Sequence, residues 1–584
     1  MLASYASFDT KGGVHLSLRV IVERQERPQA LSATNGFTRL FVWRALLSPL
    51  LFLIIPILFV VAVAQLTKAK GPQWLPYSFE NPYAYLFNSL LVVEGQPPVY
   101  IDHPGTTTEM FGGVVLRMSS LKTAEDLIYS SLVHPEIQIK RLHWALLISS
   151  ALCLWIVPWL TAIALKSQVT GLLIQAPTLF SQTLLFYGIL FGSDLMVVPF
   201  SIAAVCCCLL LSVPSSVPEK LEVMFGVRIV SPTPNSPQTL RLTLLPLPAL
   251  TGLVCAFGIV TKLTFFPLIL ISLLCCRSGK NLLAFAISFL CGLAFALLPI
   301  YSQLWRLVNW AFGLIVHSGK YSTGDIGLPE ASVYLSSLSN LIQTEPLIVV
   351  TPLVATVVLL AFSLLAKKKL TLNKIDQITL LAVFVIQVIS LLVIAKENGS
   401  HYLIPLFITT GLNLAFLFHA SRSIDDSRLR KTVGWIALLG LLALGLKGFI
   451  EDTPATYAQL RDGKIDLLRL YHHAKEITKN DVRVDYFFSD SPEFPLCYGN
   501  EYAGGAFGQQ LARIYGNPLF LDVFGKRFQT FTDSIEPSLV LQRYDHLYFL
   551  GKPKWLPQID GFDPATFETI DRAGDFYLQK WTRK

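Results

Sequence analysis

Apolar residues in this chain come in long blocks separated by shorter polar stretches. Runs such as Leu47–Leu66, Ala145–Leu165 and Trp435–Leu446 are nearly free of charge, and they approach the roughly 20 residues needed to cross a bilayer. Backbone groups in hydrocarbon must be paired internally, so runs of this kind are helices. The pattern predicts membrane segments at 45–66, 142–165, 169–191, 194–212, 246–261, 263–276, 281–300, 345–366, 375–395, 402–419 and 431–450. From about residue 452 the blocks give way to soluble-type alternation. There Leu467–Ile477 reads as helix, Arg483–Phe488 as strand, Glu501–Tyr515 as helix, and His546–Leu550 and Phe576–Trp581 as strands. Helices alternating with short strands suggest a small α/β domain. The expected fold class is thus an α-helical polytopic membrane protein of about eleven transmembrane helices with a small C-terminal α/β domain.

Charge settles one ambiguity in that count. Leu247 to Cys276 reads either as one long tilted helix or as two short ones meeting at Thr261-Lys262. With Arg19, Arg24, Arg27, Arg39 and Arg44 on the cytoplasmic side, two segments also place Arg277, Lys280, Lys367–Lys369 and Arg422–Lys431 inside. One long helix puts them all outside, against the positive-inside rule. Two segments give a cytoplasmic segment 1–44, a membrane domain 45–450 and an extracytoplasmic domain 451–584 in a multi-pass protein of the inner or plasma membrane. Loop 67–141, the turn Gly192-Ser193-Asp194, loop 301–344 and the turn Lys396–His401 then share the external face. Loop 213–245, rich in Pro and Ser, is a cytoplasmic connector. Pro56, Pro158, Pro199, Pro267, Pro299 and Pro405 are expected to kink or break their spans.

Composition excludes other classes. The chain has 584 residues, 53% hydrophobic and only 15% charged, and its mean hydropathy is +0.53. The net charge of +8 lies in short loops, as orientation requires, and does not signal nucleic acid. Eight of nine cysteines fall in or beside apolar runs and one, Cys497, in the C-terminal part, so no disulfide forms within that part and no metal-ligand spacing appears. Residues 1–37 carry no apolar core of a cleavable signal peptide and no recognisable fold.

Loop 67–141 holds the densest chemistry. Pro82–Glu94 and Phe111–Leu121 have helical apolar spacing, predicting two surface helices. Between them runs Tyr100-Ile101-Asp102-His103-Pro104-Gly105-Thr106-Thr107-Thr108-Glu109. Asp102 reads as a catalytic carboxylate or as a solvated turn residue, and His103 as its support. Thr106, Thr107 or Thr108 is expected to cap the second helix, whose N-terminus suits an anion. Glu109 reads as an exposed first-turn residue favoured by the helix dipole. Glu80 begins a surface helix or supplies a second acid. Asp194 opens a span as an N-cap or as a functional carboxylate. Lys262, flanked by apolar residues, either snorkels or meets an anionic ligand. Lys396, His401 and Tyr402 stand at a late helix start, where Lys396 anchors the helix or, with its neighbours, faces a phosphate. His317 and Lys320 are solvated loop charges.

On these elements the chain resembles the polytopic glycosyltransferases of the GT-C superfamily, which include protein O-mannosyltransferases and the aminoarabinose transferases of lipid A. The resemblance rests on Asp102 in Asp-His-Pro-Gly between two surface helices, Asp194 at a later external turn, Gly258-x-x-x-Lys262-x-Thr264 in a broken helix, and Lys396 and His401 before Tyr402-x-x-Pro405. The run Ser489–Asn500 also looks like the tail domain of bacterial members. The resemblance implies inverting sugar transfer from a polyprenyl-phosphate donor to a lipid, glycan or protein acceptor at the external face. Asp102 would be the general base, with Glu80, His103, Glu109 and Asp194 as supporting groups. Lys262, Lys396, His401 and Tyr402 would bind the donor phosphate. Some branches pair two acids in this loop and use a divalent metal. Here histidine follows Asp102, so no metal or other cofactor is expected. An oligosaccharyltransferase signature is missing from the C-terminal part. The competing readings are a transporter or flippase of lipid-linked sugars and a non-catalytic subunit of an envelope-glycan complex. Transporters often carry repeated halves with matching interrupted helices, whereas this sequence shows one interruption and no repeat.

Overall fold

The computed structural model describes residues 5–8, 14–17, 48–75, 82–101, 105–212, 246–318, 325–327, 329–365, 374–397, 399–423, 428–486, 489, 491–559 and 562–583. The chain divides into two units, Met1–Leu51 and Phe52–Lys584. In the first, strands β1 (Tyr5–Phe8) and β2 (Val14–Ser17) pair antiparallel, a hairpin the polar composition gave no hint of.

The second unit is a helical bundle joined to a mixed sheet. Its main elements are α1 (Ile54–Lys70), α2 (Pro82–Glu94), α3 (Thr106–Met118), α4 (Pro135–Ala164), α5 (Ser193–Ser212), α6 (Leu247–Thr261), α7 (Phe266–Cys275), α8 (Ile404–Ser423), α9 (Arg428–Ile477) and α10 (Glu493–Tyr502). Among the described residues six helices are long and apolar enough to cross a membrane, or seven if the bent pair Ala331–Thr344 and Leu347–Phe362 is one span. Three more, Leu247–Thr261, Leu263–Cys275 and Leu381–Ile394, are apolar but shorter. The chain does divide at Thr261-Lys262, where Lys262 is extended at φ −158° and ψ 130°.

The expected span 169–191 is not one helix. It is three short ones, Gln168–Gln175, Pro177–Phe180 and Gln182–Tyr187. Pro177 opens the second, and Ser181 caps the third by accepting from the Leu184 amide at 3.0 Å. The break is held by a carboxylate from a second break. Glu345 stands at the 78° bend between Ala331–Thr344 and Leu347–Phe362 and is buried. It accepts from the Ser181 hydroxyl at 2.7 Å and the Thr183 amide at 2.8 Å. Hydropathy counts apolar residues and is blind to such exchanges.

Pro299 breaks its span as expected, standing after the helix Gly279–Leu297 and before the non-helical Ile300, but most of the other prolines behave differently. Pro267 and Pro405 lie in the first turns of α7 and α8, where a missing N–H costs nothing. Pro56 instead interrupts its span: helix gives way to a turn at Phe52-Leu53, and Gln175 donates to the freed Phe52 carbonyl at 3.0 Å. Pro158 and Pro199 sit inside unbroken helices, and each frees the carbonyl four residues back. Gln175 donates to Leu154 at 2.7 Å, and the Ser150 hydroxyl reaches Leu195 at 3.4 Å. Neighbouring side chains thus replace the lost bonds, which is how proline is tolerated in apolar surroundings.

The fifty residues of α9 run unbroken through the expected domain border at 450/451. At 1.5 Å per residue they span about 75 Å, far beyond the roughly 30 Å of a hydrocarbon core. The helix enters a seven-stranded sheet ordered β6-β5-β4-β3-β7-β9-β8. Here β3 is Arg483–Tyr486, β4 Leu519–Asp522, β5 Arg527–Gln529, β6 Ser534–Ile535, β7 His546–Gly551, β8 Glu568–Ala573 and β9 Phe576–Thr582. Central β3 runs parallel to β4 and β7, and the outer pairs are antiparallel. The expected helix over Glu501–Tyr515 is split into α10 and Gly508–Tyr515 by Gly504 and Gly505, both left-handed at φ 67° and 79°. The Ser489–Asn500 run has a structural role. Ser489 and Ser491 donate to buried Asp485 at 3.0 and 2.8 Å, and Arg483 ties Asp485 to Glu493.

The segments assigned by charge to the external side touch one another. Gly499 packs so closely on α2 that a Cβ there would stand 3.0 Å from the Tyr83 backbone. Asn88 donates to the Tyr502 carbonyl at 3.1 Å and Tyr515 to Leu132 at 2.8 Å. Gln303 and Arg306 donate to the carbonyls of Pro98 and Val99. The base of loop 67–141 is pinned by Glu136, which accepts from the amides of Gln73 and Trp74 at 3.0 and 3.1 Å and from the Tyr83 hydroxyl at 2.8 Å. Glu136→Ala strands those three donors and should destabilise the protein by about 1–3 kcal/mol. The measurement is the thermal unfolding midpoint in nanodiscs. Lys140→Ala, one turn on and exposed, should leave it unchanged; equal midpoints for both variants would remove Glu136 from this role.

Candidate functional site

The site forms where the N-terminus of α3 meets the break after α6. Helix α3 starts at Thr106 with Gly105, left-handed at φ 59°, as its N-cap and no side-chain cap. The threonines therefore form the first turn and do not cap it. The Gly105 amide donates across to the Thr261 carbonyl at 3.3 Å. The Thr261 hydroxyl donates to Phe257 at 2.8 Å, which makes Thr107 the donor in the 2.6 Å Thr107–Thr261 contact. Three residues before Gly105 in the chain stands Asp102. Asp102, His103, Glu80 and Lys320 lie outside the described residues.

One residue past Thr261, the Lys262 ammonium meets Asp194 Oδ1 at 2.5 Å, with the two side chains 1% and 3% exposed. Asp194 is in the first turn of α5, so the pair clamps two helices. Lys262 Nζ also lies 5.1 Å from the centre of the Tyr402 ring, a distance at which a desolvated cation is attracted to an aromatic face. His401 leans on Tyr402 and Tyr187, with ring centres 4.0 and 4.8 Å apart. The bend before it needs Gly399, where a Cβ would come within 2.8 Å of both the His401 and Tyr402 rings. Lysine and aspartate thus form a locally neutral pair beside a tilted cluster of one histidine and two tyrosine rings.

Glu109 is fully buried, against the expectation of an exposed residue. Its helix sinks because Gly112 and Gly113 let it approach Ser89 and Val92 of α2, where any Cβ would overlap their side chains. Neither Glu109 oxygen meets a hydrogen-bond partner among the described residues. Burial holds this carboxyl, outside the membrane-spanning segments, well above its ordinary 4.5, so the neutral acid is the stable form.

The structure thus brings together Asp194, Lys262, His401 and Tyr402. It sets Lys396 apart: its amine donates to the Leu314 carbonyl at 2.5 Å, in the helix Leu304–Val316. His317 pairs its backbone with Ile326. Among the described residues no group of three or more His, Cys, Asp or Glu stands close enough to hold a metal ion. Sequence reading missed Tyr187, which carries no pattern of its own, and Glu345, which an acid bordering an apolar run would have flagged.

No protein-family model matches the chain, and no curated protein matches it. Among solved structures it is similar to ArnT from Cupriavidus metallidurans bound to undecaprenyl phosphate, at 10% sequence identity and a TM-score of 0.46, over 90% of this chain and 97% of that one. A likeness of that degree fixes neither a shared fold nor an activity.

Two experiments test the site's physics. Lys262→Met alone leaves the Asp194 carboxylate buried without its cation and should cost about 3–5 kcal/mol, whereas the double variant Lys262→Met with Asp194→Leu should recover most of that loss. Chemical unfolding of all three proteins checks it, and a double variant no better than the single one would refute the pairing. For Glu109, the unfolded chain ionises above about 4.5 while the folded one stays protonated, so the folded state binds the extra proton. Its contribution to stability is full below that pH and is lost as pH rises toward its folded value, at about 1.4 kcal/mol per pH unit. Glu109→Gln should abolish this slope, so the difference in unfolding free energy, wild type minus variant, should fall from pH 5 upward; parallel profiles would show an ionised Glu109.

Proposed function

We propose that the protein is a membrane glycosyltransferase that moves a sugar from a polyprenyl-phosphate-linked donor to an acceptor hydroxyl at the extracytoplasmic face. The observation that carries this reading is the buried Asp194–Lys262 pair beside Tyr402 and His401, at the joint with the helix that follows Asp102. A lysine sharing one carboxylate oxygen can trade that partner for a phosphate oxygen, and such exchange favours the anion as its charge grows. The acceptor oxygen attacks the anomeric carbon, its proton passes to the Asp102 carboxylate, and the carbon–oxygen bond to phosphate breaks with its electron pair on the phosphate. A base must reach hydrogen-bonding distance of the proton it removes. Chain connectivity keeps Asp102 within three residues of Gly105, whose amide is tied to Thr261. His401 and Tyr402 support the phosphate side of this arrangement, and Lys396 anchors its helix start to Leu314. The lipid chain would lie among the helices, in keeping with an inner or plasma membrane location.

One observation favours the transporter reading. Further interruptions exist, within the expected span 169–191 and at the 78° bend before Leu347, which the sequence did not reveal. Asp102→Asn separates the two. A transferase should lose sugar transfer by about 100-fold or more while still inserting and folding, and a strain carrying it should show the same glycolipid and glycan profile as a deletion. Transfer at the wild-type rate would sink the catalytic assignment, as a transporter or scaffold should be indifferent to it.

A further inference from the structure

The C-terminal domain holds a cavity of about 390 Å³ between the end of α10, the Gly504-Gly505 turn and the turn that links β5 to β6, within the size range of small-ligand sites. Its polar groups are oriented before any ligand arrives. Asn500 fixes the floor, accepting from the Phe507 amide at 2.9 Å and donating to the Phe531 carbonyl at 3.3 Å. Gln529 donates to Glu501 at 3.2 Å. In the opposite wall the Thr532 hydroxyl donates to Asp533 at 2.7 Å, and the Asp533 amide donates to Thr530 at 3.1 Å.

Two features restrict what fits. The lining carries the carboxylates of Glu501 and Asp533, amides and hydroxyls, and neither lysine nor arginine. Phosphates and other anions are therefore repelled, while neighbouring hydroxyl groups find acceptors in the carboxylates and both donors and acceptors in the amides. The cavity also adjoins the chain that leads to Asp102. A Cβ on Gly504 would lie 3.7 Å from Val99. Tyr502, next to Glu501, stands edge-on to Tyr100 with ring centres 4.7 Å apart, and Tyr498 and Tyr502 are joined through their hydroxyls at 3.0 Å. This row of half-buried tyrosines runs from the cavity to Tyr100, two residues before Asp102.

We propose that this cavity is an acceptor subsite that holds a saccharide lacking phosphate and carboxylate groups. The inference rests on the glycosyltransferase reading for its role and on the cavity alone for its ligand. The test is an array of neutral trisaccharides and their phosphorylated counterparts, probed with the full-length protein in nanodiscs. The wild type should retain at least one neutral glycan about tenfold more strongly than its phosphorylated form. Glu501→Ala and Asp533→Ala, at exposed positions, should each weaken retention by about tenfold at an unchanged unfolding midpoint. Asp102→Asn should retain the glycan as the wild type does. Failure to retain any neutral glycan, equal retention of the phosphorylated forms, or undiminished retention by both alanine variants would overturn the subsite. Retention lost in Glu501→Ala while Asp102→Asn still transfers sugar would keep the subsite and discard only Asp102 as the base.

Discussion

A lysine side chain that is 1% exposed persists inside an apolar bundle only where a carboxylate meets it, and the geometry around Lys262 follows from that requirement. Asp194 sits in the first turn of α5, and Lys262 meets it from an extended residue that leaves the helical path. The extended residue opens the Thr261 carbonyl and hydroxyl to outside donors. Gly105 and Thr107 donate to both, and in doing so they seat the start of α3 at the break. Burying both charges costs several kcal/mol per ion, so the pair is better understood as a device that fixes one arrangement than as a source of stability.

The same accounting of polar groups governs the other irregular places. Pro158 and Pro199 survive inside helices because Gln175 and Ser150 reach the carbonyls they free. Glu345 bends one segment and, with one carboxylate oxygen, closes the break in another. Glu136 does similar work for three donors in loop 67–141. Glu109 stands outside this pattern, being fully buried with neither oxygen partnered among the described residues. Protonation lowers the cost of that position but does not supply a partner. Among the described residues Trp159 Nε1 and Thr264 Oγ1 are also buried without a partner, but Glu109, beside Gly105, is the carboxyl with both oxygens unmet.

What the sequence revealed and what it hid divide along these lines. Helix α2 has the predicted bounds, Pro82–Glu94, because proline starts it and apolar spacing continues it. The break at Thr261-Lys262 was legible because removing it reverses the side of every later basic loop. The span 169–191 was misread because Pro177 and Ser181 matter only once Glu345, 164 residues from Ser181, is known to meet them. Glu109 was misread as exposed for a more avoidable reason. Thr106, Glu109, Gly113 and Leu116 recur at helical spacing and all are buried, a stripe of small and apolar positions that places the acid on the inner face. The hairpin Tyr5–Phe8 with Val14–Ser17 is too short for periodicity to separate from loop.

The two ends of the proposed reaction differ in sign, and that difference orders the substrates. Around Lys262 the groups that can receive an anion are the lysine ammonium and the His401 imidazole, with one carboxylate as the resident counter-charge and the Tyr402 ring face turned to the cation. In the C-terminal cavity the fixed charges are the two carboxylates, with no cation in the lining. In the proposed reaction a donor bearing phosphate is drawn to the first and repelled by the second, whereas a neutral polyhydroxylated acceptor is repelled by neither and finds hydrogen-bond partners in the second. Helix α9 enters the sheet without a break, Gly499 packs against Tyr83, and Asn88 binds Tyr502, so both environments belong to one packed unit. If the proposed transfer holds, charge alone keeps the phosphate-bearing donor out of the C-terminal cavity, and no moving gate is needed for that exclusion.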